Sequence, residues 1–423
     1  MTVNTVAVCV ALCWISGLSG QPNNPLKEKF AWKTLDYVFE EEWIAQEAKT
    51  QKLFIPEDNL PVGMEVWREK LFVTVPRWRE GVPSTLNYVL LDSPEISPPL
   101  LPYPDWAANR QGDCDAITTT YRVRVDSCDR LWVLDSGAIG LGNTTKQLCP
   151  YAIHVFDLNT DTRIRKYNLK KEDTNSNSFV PNIVVDVGES CEDTFLYAAD
   201  ALGYGLIVYS WASNDSWRFE HGFFMPDPLA GAYTVGGVSF YQWHNEGVFG
   251  LALSPTYSNG SKTLFFHPLS SYRDFYVSTE VLKNKTKTGS SYNEFYLLPS
   301  RGTGGHVSTH VIDHRGILFY NLVDQNSLAC WDSSKPYLKE NLLTLAQDEE
   351  KLIFPSDVRI DRSNTLWVMS DRMPVHLFSS LNYSDYNFRV MFSPIDQLIK
   401  GTKCDPGLPE YRLTPTWAEA FYT

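Results

Sequence analysis

The chain has 423 residues, 43% hydrophobic and 13% aromatic, with 25 glycines and 25 prolines. That is ample for one large core, and no linker or composition break divides the chain into smaller domains. The formal net charge is −13 and the pI is near 5.1. Such a balance argues against a nucleic-acid partner, whose phosphates need clustered Lys and Arg, and fits an acidic surface that attracts small cations.

In chain order, residues 1–20 carry no charged side chain, and Val6–Leu18 is an apolar run closed by Ser19-Gly20 before Gln21. The run is too short to span a bilayer and reads as a secretory signal, although its start lacks Lys and Arg. Nothing later reaches transmembrane length, so the expectation is one domain over 21–423 in a secreted, extracellular protein with no membrane partner. A strand is expected at Trp32–Phe39, followed by a short helix over Glu40–Ala48. From Leu60 onward strands take over. Pro94–Pro104 holds five prolines and reads as an extended connection, not a central strand. Lys170–Ser178 and Lys283–Ser291 read as polar surface loops, and Gly401–Thr423 as an irregular tail.

One pattern recurs through the strand region: a polar turn, then a Leu-aromatic pair opening the next strand. It appears at Leu71-Phe72, Leu131-Trp132, Leu196-Tyr197, Leu264-Phe265, Leu318-Phe319 and Leu366-Trp367. Six such hairpins at a loose period predict an all-β fold, a single six-bladed β-propeller with one inner hairpin per blade. A blade cannot bury both faces alone, so each aromatic is expected to meet the next blade. The chain ends of a propeller must meet in one blade, which pairs Trp32–Phe39 with strands near Phe388–Met391, with Cys404 as a fastener.

Cys9 and Cys13 leave with the signal, whereas Cys114, Cys128, Cys149, Cys191, Cys330 and Cys404 remain. In an oxidising compartment these predict disulfides, with the connectivity open. Cys128–Cys149 is disfavoured, because each lies just before one strand of an antiparallel hairpin and so at opposite ends. Asn143, Asn214, Asn259, Asn284 and Asn382 each head a glycosylation sequon in a turn-like segment.

No GxSxG, P-loop, GxGxxG, CxxC or HExxH motif occurs, so no metal site or cofactor is expected; Gly302–Gly305 reads as a turn. His306, His310 and His314 lie close together, but an i,i+4 pair on a strand is about 13 Å apart, too far to share one ion. They are either polar strand and turn residues or, for His306 or His310, a general base at the channel. Asp135, Asp200 and Asp371 end equivalent strands and should gather on one face. There they either terminate strands through Asx turns or attract a cationic amine.

Several segments together resemble the Yellow/major royal jelly protein family of insects. They include Phe72–Arg77, Gly81–Asn87, Leu101–Trp106, Cys128–Gly137, Gly205–Tyr209 and Leu251–Pro255. Gly316–Tyr320, Cys330-Trp331 and Asp385–Arg389 complete the set, which runs from about Trp32 to Cys404. The resemblance implies a six-bladed propeller, secretion and, for various members, cuticle pigmentation, dopachrome conversion, amine binding or a nutritive role. It supplies no catalytic residue.

Three functions compete: cofactor-independent dopachrome isomerisation in melanin biosynthesis, non-catalytic binding of a catechol, indole or biogenic amine, and a structural or nutritive glycoprotein. The site is expected in the central channel or at one mouth. His306 or His310 is the candidate base, with Thr309 and Asn326 beside the ligand. Asp135, Asp200 or Asp371 would orient the base or hold the ligand's cationic nitrogen. Oligomeric state is not legible.

Overall fold

The structure is a computed structural model that describes residues 24–240 and 246–407. The expected signal over 1–20, Cys9 and Cys13, and the tail beyond Gly407 lie outside the described residues. Among the described residues no helix is long and apolar enough to cross a membrane.

Six four-stranded antiparallel sheets follow one another along the chain. Their innermost strands are Gly63–Trp67, Thr120–Val125, Asn182–Val187, Val248–Leu253, Val307–Ile312 and Pro355–Ile360. Each touches the next, and the sixth touches the first, so the ring is closed. This is the six-bladed propeller expected from the repeat.

The Leu-aromatic pairs explain the closure. All six lie on the second strand of their blade, where both faces of the sheet are covered. Strand alternation sends the two residues to opposite faces. Leu131 joins Phe72, Tyr103 and Phe156 between blades one and two, while Trp132 joins Leu196, Tyr209 and Trp211 between blades two and three. The same division holds around the ring: each Leu meets the preceding blade and each aromatic meets the following one. Six apolar clusters thus fill six interfaces.

The polar turn before the pair has a mechanism too. Asp126, Asp313 and Asp361 each accept backbone N–H bonds from the residues two and four positions on. Asp126 and Asp361 also accept the indole N–H of Trp132 and Trp367, at 2.7 and 2.9 Å. One carboxylate therefore sets the turn and the rotamer of the aromatic after it.

The sixth blade is completed by the other end of the chain. Lys27–Trp32 forms its outer strand and pairs with Phe388–Phe392, Trp32 opposite Phe388. The N-terminal strand therefore ends where the expected one began. Past Trp32 the backbone leaves the sheet, and Tyr37 makes an isolated parallel bridge to Leu100. The helix runs over Glu42–Thr50. In the proline-rich segment Leu101–Pro102 follows the Leu100 bridge as a short outer strand of blade one.

Three disulfides form: Cys114–Cys149, Cys128–Cys191 and Cys330–Cys404. The disfavoured Cys128–Cys149 pairing does not. Cys404 fastens the segment after blade six to the third strand of blade five, not to the N-terminal strand.

Candidate functional site

Each inner strand starts on the same face of the ring, and on that face the connections entering the blades meet those leaving the second strands. A cavity of about 1040 Å³ opens there beside the axis, between blades two and three. The first turn of the inner strand of blade two supplies Thr119 and Tyr121, and the connection into blade three supplies Lys170, Lys171 and Asn175–Val180. The wall over Ser136–Gln147 carries a two-stranded hairpin, Ala138–Ile139 with Lys146–Gln147, and is tied down by Cys114–Cys149. Glu246, just before the inner strand of blade four, is the one carboxylate among the described lining residues.

The lining is aromatic on its inner side. Tyr121 stands at the hub, with the Trp78 ring 5.4 Å away and Phe179 at 5.6 Å edge-on. Phe249 closes beneath it at 6.0 Å. Burial pushes the Tyr121 hydroxyl far above its ordinary range; the adjacent Arg122 works against that, while Asp371 and Glu246 add to it.

Deeper along the axis the channel is filled by charge. Arg122, Arg124, Arg359, Glu65 and Asp357, all buried, come from the inner strands of blades one, two and six. Arg122 donates to the carbonyls of Ser308 and Ser356, and Arg124 to Asn182 Oδ1 at 2.6 Å. Gly63 lets these strands approach: a Cβ there would come within 2.5 Å of the Tyr121 carbonyl oxygen. A ligand therefore has room at the mouth and not along the axis.

The aspartates at the strand ends do lie on the cavity face, each clamped within its own blade. Asp135 accepts N–H bonds from Thr118, Thr119 and Gly137 at 2.8–2.9 Å. Asp200 accepts from Phe179 N, Gly203 N and the Ser178 hydroxyl, and pairs with Arg218 at 2.8 Å. Asp371 accepts from Met373 N, and burial pushes its carboxyl up to about 8. These are turn-making bonds. Asp135 and Asp200 are joined to the cavity through lining residues they bond, Asp135 through Thr119 and Asp200 through Ser178 and Phe179.

Neither candidate histidine lines the cavity. His306 is fully buried, with Nδ1 2.6 Å from Asp324 and Nε2 2.7 Å from the Ala230 carbonyl, and Tyr233 stacks on its ring at 4.2 Å. His310 lies in a second buried group with His267 and Asp274, and burial pulls its imidazole down to about 4. Thr309 is buried on the same strand, and His314 stands exposed in the turn that follows. Asn326 occupies a left-handed turn position on the cavity face and donates to Glu349 at 2.7 Å.

His267, Asp274 and His310 bring one potential ligand atom each to within 4.8 Å of one another. Asp274, however, is already ion-paired with Arg301 and accepts the Tyr337 hydroxyl. A divalent ion would add its charge to that guanidinium in a buried site, which the low dielectric opposes. The group reads as an ion-pair network that joins blades four and five.

The sequence profile described as Major royal jelly protein matches residues 118–404. Protein yellow of Drosophila melanogaster is 51% identical over 383 residues, covering 90% of this chain and 71% of the relative. The chain belongs to the major royal jelly protein family. Protein yellow of Drosophila subobscura is likewise 51% identical, over 90% of this chain and 67% of its own. Among solved structures, virginiamycin B lyase from Staphylococcus aureus covers 79% of this chain and 95% of its own at 12% identity and a TM-score of 0.43. That likeness carries no argument here, and the propeller rests on the strand pairing.

For this member of the family, sequence reasoning missed the cavity residues Trp78, Phe179, Tyr204 and Glu246. A signal was present. Phe179 and Glu246 fall two or three positions before an inner strand, a place the six-fold repeat puts at the mouth in every blade. Projecting the repeat onto the connections would have named them.

Proposed function

We propose that this is a secreted Yellow-type pigmentation protein whose cavity takes an aromatic catechol or indole carrying a cationic nitrogen. The observation behind this is the placing of Glu246 beside the Trp78, Tyr121 and Phe179 rings in one cavity. Ring faces attract both a flat aromatic and a cation, and a carboxylate fixes the cation's position. The three disulfides suit an oxidising, extracellular setting, and family membership supports a role in pigmentation.

Dopachrome conversion is the catalytic form of this reading. The step is an isomerisation: a carbon-bound proton next to the cationic imine leaves, and its electron pair rearomatises the ring. A quinone oxygen takes up a proton, so no oxidant or cofactor is consumed. In this reading Glu246 takes the carbon-bound proton, and the Thr119 hydroxyl donates to a quinone oxygen. His306, with both ring nitrogens engaged, and His310, away from the lining, leave that role to Glu246.

The test mixes purified protein with dopachrome and follows loss of the coloured species against a boiled control. Turnover that falls at least about tenfold in Glu246→Gln supports the catalytic form. Saturable quenching of tryptophan fluorescence by dopamine, without turnover, leaves a binding protein. Absence of both sinks the proposal.

A further inference from the structure

The cavity is electrically polar from end to end. Its lining includes three charged side chains among the described residues, Glu246, Lys170 and Lys171. Glu246 lies on the axis side, where its charge bears on both Tyr121 and Tyr233. The lysines lie on the opposite side, in the connection from blade two to blade three. They are not equivalent. Lys170 is committed to Asp215 at 2.9 Å and to the Ser216 carbonyl, and its chain is partly covered. Lys171 is exposed at the rim, and among the described residues no ion pair or hydrogen bond engages its ammonium.

The rim is also built to hold its shape. Asp173, fully buried beside Lys171, takes the Lys170 N–H at 3.0 Å and the Ser216 hydroxyl. The Asn175–Ser178 turn is pinned to Asp200 through Ser178 Oγ at 2.6 Å. Lys171 therefore projects from a fixed backbone and brings one mobile cation to the mouth.

Building on the reading above, we infer that Lys171 makes this cavity selective for catechols or indoles that keep an α-carboxylate over their decarboxylated amines. The cationic nitrogen goes inward to Glu246 and the aromatic faces, and the carboxylate stays outward, against Lys171. An amine without the carboxylate meets the same aromatic floor and the same Glu246, and leaves Lys171 solvated. The contrast is modest in size, because a rim-exposed ion pair is partly screened by water and salt.

L-dopa and dopamine are the probes, since they share the catechol and the ammonium and differ by the carboxylate. Their affinities are measured anaerobically by calorimetry at physiological ionic strength. In the natural protein L-dopa is expected to bind about 3–10-fold more tightly, the advantage shrinking at high salt. In Lys171→Gln the ratio is expected to fall to about one, and in Lys171→Glu to invert. Equal affinities in the natural protein, or a ratio that Lys171→Gln leaves unchanged, overturn the inference while the cavity remains a binding site. Failure of both ligands to bind overturns the functional reading itself.

Discussion

Arg122 and Asp357 approach each other to 3.7 Å across the propeller axis, from the inner strands of blades two and six, and water reaches neither. Asp357 also pairs with Arg359 at 2.7 Å and accepts the Met64 N–H at 3.0 Å. One carboxylate thus serves two guanidinium groups and the backbone of blade one. Asp357→Ala leaves both arginines short of a counter-charge and is expected to cost about 3–5 kcal/mol. Urea unfolding followed by tryptophan fluorescence measures this, and a loss below about 1 kcal/mol contradicts it.

The disulfides are expected to differ in weight. Cys330–Cys404 spans 74 residues between two buried cysteines, whereas Cys114–Cys149 spans 35 and has an exposed end at Cys114. In the chain-entropy view the longer loop contributes more, about 4 kcal/mol. The paired variant Cys330→Ser/Cys404→Ser should therefore lower the melting temperature more than Cys114→Ser/Cys149→Ser. The shorter bridge should matter for ligand binding instead, since it holds the cavity wall. Calorimetric melting and dopamine titration of both variants separate the two effects.

Stability should peak near pH 6.5. Burial holds His310 down to about 4 and His154 and His376 down to about 3, with His267 lowered as well. The unfolded chain binds these protons first, so stability present above pH 6.5 is lost as pH falls toward 4. Asp371, held up to about 8, acts in the other sense: the folded state keeps its proton, and stability declines as pH rises to 8. Burial raises Glu65 and Asp135 as well, so each acts in the same sense from the ordinary carboxylate range upward. Melting temperatures from pH 4 to 9 should give a maximum, and Asp371→Asn should flatten its alkaline side. An unchanged alkaline slope in that variant removes Asp371 from the account.

All five sequon asparagines are exposed. Asn214, Asn259 and Asn284 lie on the face away from the cavity, in blades three and four, and Asn143 and Asn382 on the cavity side. Secreted material is expected to begin near Gln21 and to lose mass on glycosidase treatment. Intact-mass measurement checks both, and a chain that retains residues 1–20 and shows no glycan loss contradicts them.

The fold was legible because a second strand covered on both sides has to supply two apolar faces, and Leu-aromatic pairs write that demand into the sequence six times. Asp126, Asp313 and Asp361 reinforced it, five positions before the Leu each time. The N-terminal strand was placed too late because Phe30 and Trp32 look the same whether they open a strand or close one; their pairing with Phe388–Val390 decides. The cavity was hardly legible. Its residues sit in connections and carry no recurring residue type, so Phe179 and Glu246 are marked only by their place two or three residues ahead of an inner strand. His306 drew notice by its residue type, yet its partner Asp324 lies in the next turn of the same blade and marks a buried pair.

The sixth blade is assembled from the two ends of the described chain, and this sets an order on how the protein is made. Lys27–Trp32 leaves the ribosome well ahead of its partner Phe388–Phe392, with five blades made in between. At roughly 5–20 residues per second the wait between them is on the order of tens of seconds. Throughout it, an apolar strand with open N–H and C=O groups has no lawful neighbour. The newborn chain is therefore most vulnerable to pairing with a sister molecule until Phe388–Phe392 emerges, and a premature stop anywhere ahead of Phe388 would leave an open crescent in place of a ring.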